Sequence, residues 1–237
     1  LDELRLASRQ GLDVYGSLDL AFNDLVVQGP GIVGYENAGQ TVGLRASTLT
    51  VSNPDAATYV APMGAVPGTG LLTVQAEDIR LADTGAAAVL LGGFTHTTLT
   101  ASHALVGVGT AGLQVDGALT LLTPNLTPLR GSKLSLTATG ALAALTPGLS
   151  PTLDGLDTLG GQVALTGSRV LLDTRIGAAG GLVSLHAMGL SPSDDVTLAG
   201  NALIDVTGPA VDLQGFPVAI AGGSIDISSD HGAIHGA

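Results

Sequence analysis

Apolar and polar residues alternate in short runs along most of this chain, and the runs recur at a near-constant spacing. The clearest stretch is residues 196–228. There Val196-Thr197-Leu198, Ile204-Asp205-Val206, Val211-Asp212-Leu213, Val218-Ala219-Ile220 and Ile225-Asp226-Ile227 follow one another in steps of 8, 7, 7 and 7 residues. Gly200, Gly208, Gly215 and the Gly222-Gly223 pair punctuate them. Strict alternation marks a strand with one buried face, and a fixed period marks stacked repeats. Three such steps make a coil of about 21 residues, a period that parallel β-solenoids use.

The same wording appears from the start of the chain, in Leu4-Arg5-Leu6, Leu12-Asp13-Val14, Leu18-Asp19-Leu20 and Leu49-Thr50-Val51. Residues 52–71 interrupt it with Pro54, Pro62 and Pro67, which predicts a loop protruding from the coil. The repeat returns at Leu72-Thr73-Val74 and Ile79-Arg80-Leu81. Pro124 and Pro128 predict a second loop over 122–132, because proline cannot donate to a central ladder. A third is expected over 144–160, with Pro147, Pro151, Asp154 and Asp157. Helical periodicity is not sustained anywhere, and the one helical candidate is a short turn around residues 141–145. The expected fold is therefore all-β, a solenoid with about 20–22 residues per coil and a few loop insertions. Its register would stack Ala164, Ser184, Asp205 and Asp226 outward on one sheet, each about 4.8 Å above the last.

Composition sharpens this picture. Aromatic residues are only 3% of the chain and Trp is absent, which a narrow lumen of stacked aliphatic side chains tolerates and a large globular core does not. The formal charge is −12, with Lys133 as the one lysine. Such a surface excludes the basic stripe of a nucleic-acid binder and disfavours anionic membranes. Cysteine is absent, so no disulfide framework holds the fold. No apolar run is long enough to span a membrane as a helix. The first residues show no basic and apolar leader, and the repeat starts and stops in mid-pattern, so residues 1–237 are expected to be one segment of a longer protein.

Several units carry a family likeness. Gly70-Leu71-Leu72-Thr73-Val74-Gln75-Ala76-Glu77-Asp78-Ile79-Arg80-Leu81, Gly161 to Leu172, and Gly131-Ser132-Lys133-Leu134-Ser135-Leu136-Thr137-Ala138 resemble the repeats of filamentous haemagglutinin-like exoproteins. The resemblance implies a right-handed parallel β-helix exported by two-partner secretion through an outer-membrane transporter. It also implies a place on the bacterial cell surface or in the medium, and adhesion to a host-cell or glycan receptor. The Asn-rich signatures of the secretion domain are missing, so the piece corresponds to the shaft, a region with no catalytic residues to carry over.

Candidate chemistry is sparse. Asp205 and Asp226, one coil apart, with Asp212 on the adjacent face, could form the carboxylate pair of a β-helical polysaccharide lyase or glycosidase. Against this, no Arg or Lys is expected in the same ladder, and outward strand positions are ordinarily polar. Gly222-Gly223-Ser224-Ile225-Asp226 echoes a calcium-binding repeat, but Ile225 stands where glycine is needed. The loop acids Asp154, Asp157, Asp194 and Asp195 could hold Ca²⁺ only weakly. His231 and His235 are spaced for zinc on a helix, which this strand-turn context does not provide. His96, His103 and His186 are isolated, and no nucleophile or phosphate-loop motif is present. The expectation is a structural segment without catalytic, cofactor or metal residues. Any binding is expected on loops 52–71 and 144–160, with Tyr59 as the exposed aromatic.

Overall fold

The computed structural model describes residues 2–84, 87–147, 156–213 and 216–236. Among them are 25 strands and no helix. Apart from one hairpin and one isolated bridge at Tyr35 and Pro67, every pairing is parallel. A chain can make parallel neighbours only by leaving a strand and returning one level further on. This chain does so through three ladders visited in turn, an arrangement compatible with a parallel β-helix.

The first ladder runs through Glu3–Ala7, Asp24–Gln28, Thr48–Ser52, the second half of Gly70–Ala82, the second half of Phe94–Val108, Asn125–Pro128, Arg175–Gly177 and Leu203–Asp205. The second ladder comprises Leu12–Tyr15, Gly31–Tyr35, Val89–Gly92, Thr110–Val115, Lys133–Ala138, Gln162–Gly167, Leu182–Ala187 and Ser224–Ser229. Leu18–Ala21, Thr41–Arg45, the first halves of Gly70–Ala82 and Phe94–Val108, Ala118–Leu122, Leu142–Leu145, Val170–Asp173, Val196–Leu198 and Ile234–Gly236 make the third. One visit to all three is a circuit.

Alternation decides what each circuit buries. In Lys133–Ala138, Leu134, Leu136 and Ala138 are inaccessible, while Ser135 and Thr137 face out. Inward residues of all three ladders, from Leu25 to Val196, form one apolar cluster filled almost entirely by Leu, Val, Ile and Ala. Aliphatic side chains stacked at the strand spacing fill a narrow interior with little aromatic bulk.

Among the described residues, two circuits lack a strand in one ladder. Gly31–Tyr35 pairs directly with Val89–Gly92, passing over the circuit that contains residues 53–69. Asn125–Pro128 pairs directly with Arg175–Gly177, passing over the circuit that contains residues 146–160. In both places the ladder closes across the gap.

Several sequence expectations need correction. Residues 142–145 form a strand and not a helical turn, because Leu142 and Ala144 point into the core. Within 122–132, Asn125–Pro128 is a fully buried strand. Pro128 is accommodated because the pairing toward Arg175–Gly177 ends at Leu126, and Leu129 supplies the next donor to Gly107 at 2.8 Å. The period is 20 residues from Val163 to Val183 but 42 from Val183 to Ile225. The run of seven-residue steps beyond Val196 is not a run of wall strands. Ala210–Leu213 and Phe216–Ala219 fold on each other as an antiparallel hairpin outside the ladders.

Candidate binding surface

The departure at residues 53–69 is built from the chain's few specialised side chains. Asn53 opens it: its Oδ1 accepts from the Ala57 amide at 3.1 Å and its Nδ2 donates to the Ala57 carbonyl at 2.8 Å. The segment then returns along the second ladder. Val60 donates to the Gln10 carbonyl at 3.1 Å, and Gly68 to the Gly34 carbonyl at 2.8 Å. Asn37, inaccessible to solvent, seals the seam left by the absent strand. Its Oδ1 accepts from the Gly70 amide at 3.0 Å and its Nδ2 donates to the Gly93 carbonyl at 3.1 Å. Gly34 and Gly68 are required beside it, since a Cβ on either would lie within about 2 Å of the Asn37 amide group.

All three tyrosines of the chain meet here. Tyr59 Oη lies 2.5 Å from Asp13 Oδ1 and 2.7 Å from Tyr35 Oη. The carboxylate can only accept, so Tyr59 donates to Asp13 and Tyr35 donates to Tyr59. Burial, followed by the hydrogen bonds to Asp13 and Tyr35, pushes the Tyr59 phenol far above its usual range and keeps it protonated. Its ring covers Gly11, where a Cβ would sit 2.3 Å from Tyr59 Cδ2. Tyr35 is buried and Tyr15 stacks on it at 5.4 Å. Tyr59 is therefore a half-buried clamp, and the exposed aromatic is Tyr15.

Past this clamp the segment turns outward, and Val60, Met63 and Val66 stand in solvent, Met63 completely. These three exposed apolar residues on one loop make it the candidate contact surface. On the flank, a polar cleft of about 240 Å³ lies between residues 7–9, 28–29 and 53–57. Arg9 and Asp55 face each other across it at 3.7 Å, both well exposed.

The candidate acids are dispersed. Ser135, Ala164, Ser184 and Asp226 do stack outward on the second ladder. Asp205 does not join them. It lies on the first ladder opposite Gly177, and Asp212 lies in the hairpin. The expectation that Asp205 has no basic neighbour also fails, because Arg175 one circuit below reaches it at 3.4 Å. Hydrogen bonds from Thr207, then Arg175, hold the Asp205 carboxyl below its usual range. This carboxylate is satisfied locally and does not stack on Asp226.

Other candidates are likewise committed. Arg130 binds Asp157 at 2.5 Å, and this bond with the Leu159 amide lowers the Asp157 carboxyl. Asp154 is outside the described residues. Asp194 accepts from the Ser191 amide at 2.8 Å, while Asp195 accepts from the Ala233 amide at 2.7 Å and has His235 Nε2 3.2 Å away. His186 pairs with Asp230, His103 with Asp78, and His96 with Thr120. Among the described residues no three His, Asp or Glu side chains converge on a metal position. Asn125 is wholly buried. No helix among them is long and apolar enough to cross a membrane.

Sequence reasoning passed over Asn37 and the buried Thr123, Thr127 and Thr174, which replace ladder bonds where a strand is absent. Thr127 donates to the Gly177 carbonyl at 2.8 Å, and Thr174 to the Thr123 carbonyl. Their one visible signal is a polar residue at the edge of an apolar run. No protein-family model matches the chain, and neither does any curated protein sequence or solved structure.

Proposed function

We propose that this chain is a shaft segment, a right-handed parallel β-helix within a large secreted bacterial surface exoprotein of the filamentous haemagglutinin-like kind. Its role is to hold other parts of the molecule away from the cell, without catalysis of its own. The observation that carries this reading is the pairing itself: three parallel ladders share one aliphatic core along the described chain. Such an arrangement gives stiffness by adding nearest-neighbour contacts, circuit by circuit. Right-handed crossovers are the rule for parallel connections. The dispersal of Asp205, Asp212 and Asp226 supports a non-enzymatic role over a polysaccharide lyase or glycosidase. Adhesive contact with a host-cell or glycan receptor falls to the 53–69 surface, where Val60, Met63 and Val66 are exposed.

The test is surface labelling of intact cells expressing the full gene, with and without its outer-membrane transporter. Labelling at the surface or in the medium that disappears with the transporter supports the reading. Protein retained inside intact cells in both strains overturns it, as does cleavage of a polysaccharide that Asp205→Asn abolishes.

A further inference from the structure

We propose that a second, smaller cleft, on the first ladder, binds an apolar monocarboxylate through Arg80. The cleft has a volume of about 120 Å³. Val106, Val108, Leu129 and Leu156 form its apolar walls, and Asp78, Arg80 and His103 its polar rim.

A local irregularity creates it. Phe94–Val108 stacks on Gly70–Ala82 in register, with Ala101 opposite Ala76, but resumes with Ala104 opposite Asp78. Ser102 and His103 together therefore stand against Glu77 alone. A bulge of this kind re-aims a side chain out of the ladder. It brings His103 Nδ1 to 2.7 Å from Asp78 Oδ1. The carboxylate accepts, so Nδ1 donates and Nε2 is left without a partner among the described residues. Asn125 pins the bulge by donating to the His103 carbonyl at 3.2 Å.

Arg80 is the unusual member. Five of the chain's seven arginines hold a side-chain partner: Arg5 with Gln28, and Arg9, Arg45, Arg130 and Arg175 each with an aspartate. Among the described residues Arg80 has none, and it stands one circuit below Val106, which is only 6% exposed. A guanidinium beside apolar walls matches a carboxylate joined to an apolar body, since its fork grips both oxygens while the walls take the hydrocarbon. Asp78 leaves the rim close to neutral, which disfavours phosphates and dicarboxylates. Among the described residues no Phe, Tyr, Trp, Asn or Gln side chain lines the cleft, so the ring platform and amide hydrogen bonding of a sugar site are lacking.

Benzoate is the probe, followed by amide and imidazole NMR shifts of the whole chain. Acetate serves as the charge without the apolar body, and benzyl alcohol as the body without the charge. Benzoate is expected to shift Arg80, His103, Val106 and Val108 with a dissociation constant of about 1 mM. Arg80→Gln is expected to weaken it by about 10-fold or more, with Arg169→Gln unchanged. Arg80→Lys, which keeps the charge but loses the fork, should fall between. Absence of shifts at about ten times that concentration overturns the proposal. So does equal binding by Arg80→Gln, or acetate shifting the same residues as strongly as benzoate. Arg80 is exposed, so both substitutions leave the fold intact.

Discussion

Residues 94–187 and residues 196–236 are written in nearly the same alternating pattern, yet they pack very differently. In the first region Leu119, Leu121, Leu134, Leu136, Leu165, Leu172 and Leu185 are all fully buried. In the second, Ile225 and Ile234 are each about half exposed, although their inward ladder partners Val183 and Val196 are fully buried. Alternation makes a strand with an apolar face. Only a circuit stacked on each side makes that face a core. The last circuit has a neighbour on one side in the described chain, and part of its length is spent on the hairpin. An insertion alone is not the cause, because residues 53–69 also leave their circuit. There Asn37 and the tyrosine cluster replace the lost hydrogen bonds and cover the seam.

The largest expected effect probes that contrast directly. Leu136→Ala should cost about 3–4 kcal/mol, since a fully enclosed leucine leaves a cavity between stacked circuits. Ile225→Ala, 46% exposed, should cost about 1 kcal/mol. Denaturant midpoints at unchanged slope would measure both. Equal losses would mean that the two regions are packed alike.

Asn37→Ala comes next, at about 2–4 kcal/mol, because it strands the buried Gly70 amide and Gly93 carbonyl. The same variant should become open to protease cleavage within residues 53–69, while cleavage near the hairpin stays unchanged. If both sites respond alike, the seal is not local.

Tyr59→Phe is expected to cost about 1 kcal/mol at neutral pH through two lost hydrogen bonds. Its pH dependence is more informative. The folded phenol titrates far above its unfolded counterpart, so folding favours the protonated form. That stability is fully present below about pH 10, the unfolded value, and is lost as pH rises beyond it. Thermal melts should therefore show a steeper alkaline decline for the native chain than for Tyr59→Phe. Parallel declines would remove Tyr59 as the clamp.

How much of this was legible in the residues follows from the same physics. Val163-Ala164-Leu165 and Val183-Ser184-Leu185 announced both strands and register, because nothing but a tight turn and one further strand pair separates their circuits. All-β character and an aliphatic interior followed from alternation and the lack of aromatics. Asp205 was misplaced because spacing cannot distinguish a wall strand from a hairpin strand: Val211-Asp212-Leu213 alternates as well as any wall strand, yet pairs with its own neighbour. Asn37 and Arg80 escaped notice, and His103 read as isolated, because their roles come from circuits 25 to 56 residues distant in sequence. Such contacts exist only after stacking.

The register is the central claim, and the absence of native cysteine allows a direct test of it. Two cysteines on adjacent ladder partners fall within disulfide range, whereas positions on different ladders do not. Ser184→Cys with Asp226→Cys should oxidise to an intramolecular disulfide in the folded chain, and Ser184→Cys with Asp205→Cys should stay reduced. The reverse result would return Asp205 to the second ladder, restore the carboxylate pair and contradict the circuit order described above.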